Sequence, residues 1–337
     1  IVSPNNDGND FWGMVHKIAR ASAKDLNINL KIIYTHNSNN FTYLDPFEKA
    51  FKTKDKPDVV MGIFFKSIEN ETLNLSKKYD TPVFMFNSII PKKERNDTFS
   101  REKNKNFIGY MHPDEEYAGY VLGKHLIKVQ KNKNPNKKIN LIAISGHRNS
   151  YTTYLRNLGL KKAVKEENAN LKQLVHANWS ADISYEKASK LIERYPNLDL
   201  IWNASDLMAI NSKKAINDKQ NKHIITGGID WTKDGIAKVK NGELEASVGG
   251  HFTEIAFALV LIYDYFHGKD FYEELGDEIT TKMSLLSSNN INKYYEFINN
   301  QDWDKIDFTK YSKILNPKIK KYDFSFESLL NNYNENK

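Results

Sequence analysis

The chain has 337 residues, 40% of them hydrophobic and 12% aromatic. That is ample for packed cores and too long for one ordinary domain, so two domains of ~150 residues each are expected. The net charge of +7 comes from 49 basic residues interleaved with 42 acidic ones along the whole chain, a solvated surface rather than a nucleic-acid-binding stripe, and the absence of cysteine excludes disulfides, thiol catalysis and thiolate metal sites.

In chain order, short apolar or β-branched runs fall at Lys31–Thr35, Val59–Phe64, Val83–Asn87, Phe107–Met111, Ile139–Gly146, Leu171–Asn178, Leu200–Ala204, His223–Ile229 and Ala246–His251. Helical periods lie between them, the clearest at Phe11–Leu26, Glu115–Gln130 and Tyr151–Glu167. Strands alternating with helices of this length are βαβ units, so the fold class is α/β with doubly wound parallel sheets. Ligands of such sheets bind beyond the carboxyl ends of the strands. Those ends are where Trp12, Asn87, Arg156, Trp179, Asp206 and Asp230 fall.

Met111-His112-Pro113-Asp114 follows a strand and precedes a helix; Pro113 breaks strand pairing and Asp114 suits an N-cap. His112–Asp114 is therefore read as a crossing from an N-terminal lobe to a C-terminal one. Further crossings are expected near Gly249–Thr253 and in the alternating segment Ile279–Ser288. Three crossings make a three-strand hinge. The lobes are then 1–112 with 253–285, and 113–252 with 286–306, leaving 307–337 as a helical or irregular extension packed on the outside.

No apolar run approaches the ~20 residues needed to span a bilayer; the longest, Ile255–Tyr265, is interrupted by Asp264 and reads as a buried helix. The chain begins at Ile1, inside what looks like a first strand, so a processed product with its signal peptide removed is expected. The basic clusters Lys131–Lys138 and Lys318–Lys321 lie in loop-like sequence without a helix-turn-helix or RNA-binding motif. Six arginines stand against 43 lysines, which reflects coding bias more than function, and the sequons at Asn70, Asn96 and Asn178 are by-products of abundant asparagine. No Gly-x-Gly-x-x-Gly, Gly-x-Ser-x-Gly or metal-spaced His/acid set is present, so neither an enzyme nor a cofactor is expected.

Several segments, in this order, carry a family resemblance. They are Ser3-Pro4-Asn5-Asn6-Asp7-Gly8-Asn9-Asp10-Phe11-Trp12, His176-Ala177-Asn178-Trp179-Ser180, Asp199-Leu200-Ile201-Trp202-Asn203-Ala204-Ser205-Asp206-Leu207-Met208-Ala209, Gly227-Gly228-Ile229-Asp230-Trp231 and Ser247-Val248-Gly249-Gly250-His251-Phe252. Together they resemble the type I periplasmic sugar-binding proteins, and more closely the ABC-type branch related to the autoinducer-2 receptor, over roughly residues 1–290. The resemblance implies a two-lobed, hinge-closing, monomeric binder that traps a sugar or polyol. It would deliver that cargo to an ABC permease or, in the alternative reading, to a sensor histidine kinase, outside the cytoplasm. A transcriptional repressor sharing this effector-binding fold would need a DNA-binding headpiece, and none is present in this sequence.

A sugar presents hydroxyls that want donors and acceptors, and C–H faces that want rings. Phe11 and Trp12 stand at the first strand–helix turn, where the resemblance places a stacking ring, and Asp7 and Asn9 lie in the loop before it. Asn87 ends a buried strand. Arg156, three residues before Gly159, resembles the family's cleft arginine, whose planar fork a lysine would not replace. Arg148 and Tyr151 are rim candidates, and Trp179 follows a strand. Asn203, Ser205 and Asp206 form a polar group in which Asp206 also reads as a helix N-cap. Asp230 matches the family's sugar-hydroxyl acceptor, and His251 follows the glycine pair. The autoinducer-2 receptor's second cleft arginine has no counterpart at Gly249-Gly250-His251, so a sugar or polyol is expected rather than a borate diester.

Overall fold

The computed structural model describes residues 1–3, 10–35, 40–95 and 99–336, and the backbone alone for 40–42. The elements run β1 (Val2–Ser3), α1 (Phe11–Asp25), β2 (Ile33–Tyr34), α2 (Asn40–Phe51), β3 (Val60–Gly62), α3 (Glu69–Tyr79), β4 (Val83–Phe86) and β5 (Phe107–Pro113). They continue with α4 (Glu115–Lys133), β6 (Asn140–Ser145), α5 (Tyr151–Glu166), β7 (Asn170–His176), α6 (Ala181–Arg194), β8 (Leu200–Asn203), α7 (Asp206–Asp218), β9 (Ile225–Asp230), α8 (Lys233–Lys240) and β10 (Ala246–Gly249). The last are α9 (Glu254–Phe266), α10 (Tyr272–Leu275), β11 (Glu278–Thr281), β12 (Ser284–Ser287), α11 (Ile291–Asn300) and α12 (Phe326–Glu335). The α/β class with parallel sheets is as the alternation implies. Two compact units result: Ile1–Pro113 with His251–Lys282 and Gln301–Lys337, and Asp114–Gly250 with Met283–Asn300.

The first unit holds a four-stranded sheet in the order β11-β5-β4-β3, all parallel, and the parallel pair β1-β2. Helix α9 is apolar on nearly every face because nearly every face is buried, from Ile255 to Ile262. Of its two acids, Glu254 opens the helix and Asp264, near its end, is fully buried and serves the C-terminal tail. It accepts from the Ser312 hydroxyl, from the backbone N–H groups of Lys313 (2.7 Å) and Ile314 (3.3 Å), and from the Tyr322 hydroxyl (2.8 Å). Phe324 stacks on Phe257 at 4.6 Å, and Phe308, Tyr311, Leu329, Leu330 and Tyr333 are buried. The segment expected as an outer extension is thus a strap that completes this unit's core. Residues 301–306 belong here too, where a place in the other lobe was expected, because Trp303 is buried in a stack with Phe252 (5.2 Å).

The second unit is a six-stranded sheet ordered β12-β10-β9-β8-β6-β7, parallel except for β12. The expected alternating segment 279–288 splits: β11 joins the first unit's sheet, and β12 runs antiparallel to β10. Its helices start where the chain supplies an oxygen. Asp114, Ser150, Ser180, Ser205 and Thr232 cap α4, α5, α6, α7 and α8, each accepting the backbone N–H three residues on. Helices α4 and α5 touch backbone to backbone. A Cβ on Gly119 would lie 2.0 Å from the Arg156 carbonyl oxygen, and one on Gly159 would lie 1.9 Å from that of Glu116. This contact brings the start of α4 against the first turns of α5.

Candidate functional site

Second-unit residues converge on Arg156. Its side chain is only 3% exposed and lies at the carboxyl edge of the sheet. Its Nε and Nη2 donate to the two oxygens of Glu115, at 2.5 and 3.1 Å. Its Nη1 donates to the Ala204 carbonyl (2.6 Å) and to Asp230 Oδ1 (3.3 Å). The Trp179 ring centre lies 5.9 Å from the guanidinium carbon, and that ring fills the space above Gly146. Burial works against the arginine's charge, but Glu115 and Asp230 outweigh it and hold its pKa above the ordinary value. Burial also pushes Asp230 well above the usual carboxylate range; Arg156 pulls it down, while Asp206 and Glu115 add to the push. A guanidinium gripped on one side by Glu115, an acid reluctant to ionise and an indole face together can exchange hydrogen bonds with hydroxyls and cover a C–H surface.

Glu115 escaped the sequence reading. An acid in a helix's first turn is favoured by the helix dipole whatever else it does, so nothing in the chain marks it. Trp179 sits in a left-handed turn with Asn178, at φ of 61° and 54°, directly after β7. Tyr151 is buried at the start of α5, and Arg148 is exposed in the loop before it.

Three of the expected contact residues are engaged within the protein, and one expected helix cap is corrected. Asn203 is fully buried and its amide is engaged within the sheet: Nδ2 donates to Thr226 Oγ1 (2.8 Å) and to the Gly227 carbonyl (3.3 Å), while Oδ1 accepts from Ser212 (2.7 Å). Ser205, not Asp206, caps α7, its hydroxyl accepting the Met208 N–H, so this side chain is occupied as well. Asp206 is the first helical residue, 0% exposed, with both oxygens bound to Thr232 and Ser247. These polar groups at strand ends serve the fold.

In the first unit, Phe11 opens α1 and stacks on His251 at 4.4 Å and 24°. His251 therefore belongs with Phe11, not with the second unit to which the sequence reading assigned it. Trp12 meets Phe11 edge-on (5.3 Å) and Phe86 likewise (6.3 Å). Asn87 follows β4 with φ of 60°, and its Nδ2 is buried with no hydrogen-bond partner among the described residues. An amide donor left this way is costly unless something supplies an acceptor. Asp7 and Asn9 lie outside the described residues.

The periplasmic binding protein domain family matches residues 1–269. The chain belongs to that family. The match is to the family as a whole and does not single out the autoinducer-2 branch. Comparison with curated proteins gives no match. Among solved structures, this periplasmic binding protein is similar to a periplasmic sugar-binding protein from Pseudomonas fluorescens, with 26% identity over 98% of each chain and a TM-score of 0.86. It shares its fold with a galactofuranose binding protein (19% identity, 89% of this chain and 98% of that one, TM-score 0.73). It does so too with the binding component of the arabinose ABC transporter from Shewanella sp. ANA-3 (15% identity, 89% and 95%, TM-score 0.74). Among the described residues no helix is long and apolar enough to cross a membrane, and no cluster of His, Asp or Glu could hold a metal ion.

Proposed function

We propose that this periplasmic binding protein captures a monosaccharide or related polyol outside the cytoplasm and hands it to an ABC importer. The observation that carries the reading is the Glu115–Arg156–Asp230 set beside the Trp179 ring, a hydroxyl-binding arrangement at the sheet's carboxyl edge. Phe11 and His251 of the first unit offer a ring stack of the same chemistry, and Asn87 Nδ2 offers a donor. The structural relatives support a sugar: their names specify galactofuranose, L-arabinofuranose, D-allose and myo-inositol.

A thermal-shift screen of the purified chain against L-arabinose, D-galactose, D-allose and myo-inositol tests it. A ligand present at about 100 times its dissociation constant adds about 2.7 kcal/mol of stability. Arg156→Ala and Asp230→Ala, each measured against its own melting temperature without ligand, should remove the shift. A shift that survives both substitutions would overturn the site assignment. No shift across the panel, with no sugar or polyol carried through purification, would overturn the ligand class.

A further inference from the structure

Asp230 and Trp231 both have left-handed backbones, at φ of 132° and 58°. Residues with a Cβ keep such conformations only where their surroundings hold them. Here the holding groups are identifiable. Asp206 Oδ2 accepts the backbone N–H of Thr232 (2.9 Å) and its hydroxyl (3.2 Å), and Asp206 Oδ1 accepts the hydroxyl of Ser247 (2.7 Å). Ser247 in turn takes the Trp231 indole N–H on its carbonyl (3.1 Å). Thr232 also accepts the Gly235 N–H (3.1 Å), so the same anchor fixes the start of α8.

The carboxylate lies in a slot that admits no substitute around it. A Cβ on Gly228 would come within 2.6 Å of Asp206 Oδ1, and one on Gly235 within 2.2 Å of Oδ2. The turn after β9, a residue of β10 and the start of α8 therefore meet on a single buried acid, and that turn carries Asp230 to Arg156.

We infer that Asp206 is a positioning residue: it clamps the Asp230–Thr232 turn and so aims the Asp230 carboxylate at Arg156 and at the hydroxyls of a bound sugar, without touching the sugar itself. This rests on the proposed sugar site. The charged groups around the clamp are Arg156 from α5, Asp230 from β9 and Glu115 from α4. Burial pushes Asp206 up to about 6 against the pull of its Ser247 and Thr232 hydrogen bonds, so its charge changes within an accessible pH range.

The experiment compares Asp206→Ala, Asp206→Asn and Ser247→Ala with the wild type by two readouts. The first needs no ligand: amide hydrogen exchange at Thr232, referenced to Ile142 and Ile201 in the strands behind it. The second is calorimetric affinity, from about pH 5 to 8, for whichever of L-arabinose, D-galactose, D-allose or myo-inositol binds the wild type. Losing charged hydrogen bonds predicts that Asp206→Ala speeds Thr232 exchange about 100-fold beyond any change at Ile142 and Ile201, and weakens binding about 100-fold. Asp206→Asn, which offers an oxygen to Thr232 and an N–H to Ser247, should rescue both at neutral pH and erase a step near pH 6 from the binding profile. Ser247→Ala keeps the carboxylate and serves if the alanine variant does not fold; it should speed Thr232 exchange about 10-fold.

Thr232 exchanging in step with the reference strands, or unchanged affinity in the alanine variant, would overturn the inference. If none of the four sugars binds the wild type, the sugar reading fails, and the exchange data alone decide whether Asp206 holds the turn.

Discussion

Replacing Asp264 by alanine tests whether the C-terminal strap is an integral part of the first unit. The side chain is fully buried near the end of a mostly apolar helix and receives four hydrogen bonds, all from residues 312–322. Hydrogen bonds to an ionised group contribute about 1.5–3 kcal/mol each. The four do not add, because donors on a lifted strap regain water. Leaving buried donors without their acceptor costs about 1–3 kcal/mol for each group that cannot reach water, so about 4 kcal/mol is expected for Asp264→Ala. Asp264→Asn, which keeps one acceptor oxygen, should lose about half as much. For a unit of this size, 4 kcal/mol lowers the melting temperature by roughly 10 °C. Urea unfolding gives the free energy, and amide exchange at Lys313 and Ile314 shows whether the strap has come away. A loss under about 1 kcal/mol with those amides still protected would refute the reasoning.

Glu115→Ala should cost about 3–5 kcal/mol in urea unfolding, because it leaves the buried Arg156 guanidinium facing an empty side, and sugar affinity should fall with it. Gly159→Ala puts a methyl group 1.9 Å from the Glu116 carbonyl oxygen, so α4 and α5 must part; a loss of about 3 kcal/mol by the same assay is expected. Asp206 holds its proton more tightly in the folded chain (about 6) than in the unfolded one (3.8). Its contribution to stability is thus full below the unfolded value and lost as pH rises through about 6, a change of at most about 3 kcal/mol. Asp206→Asn should remove that component from the slope of stability against pH between about 4 and 7; an unaltered slope would contradict it.

The alternation of apolar runs with helical periods was enough to place most of the strands, because buried parallel strands read as continuous β-branched stretches. Helix starts at Phe11, Glu115 and Tyr151 match the periodicity as well. Helix α2 was not legible, since Pro46 inside it argues against a helix until the rest of the segment is seen to hold. The division of 279–288 between two sheets is equally hidden: alternation says that a segment is a strand but not which neighbour it pairs with. Among the proposed site residues, Arg156 stands out through its resemblance to the family's cleft arginine, three residues before Gly159, and Asp230 because it ends a strand. Asn203 and Ser205 stand in similar places, yet they bond within the sheet and cap a helix. Polar residues at a strand's end advertise a need for partners without saying whether ligand or protein supplies them.

The charge inventory around Arg156 has a consequence for cargo. Three acids, Glu115, Asp206 and Asp230, surround one guanidinium, and the capping oxygens of α5, α6, α7 and α8 already occupy backbone donors that a helix start would otherwise lend to an anion. A neutral polyol meets acceptors for its hydroxyls there. If the proposed sugar site holds, a phosphorylated sugar would meet repulsion and find those amides in use, so free sugars are expected to bind in preference to their phosphate esters. Adding glucose 6-phosphate beside glucose in the binding panel would show that discrimination directly, with binding of the ester as the contrary result.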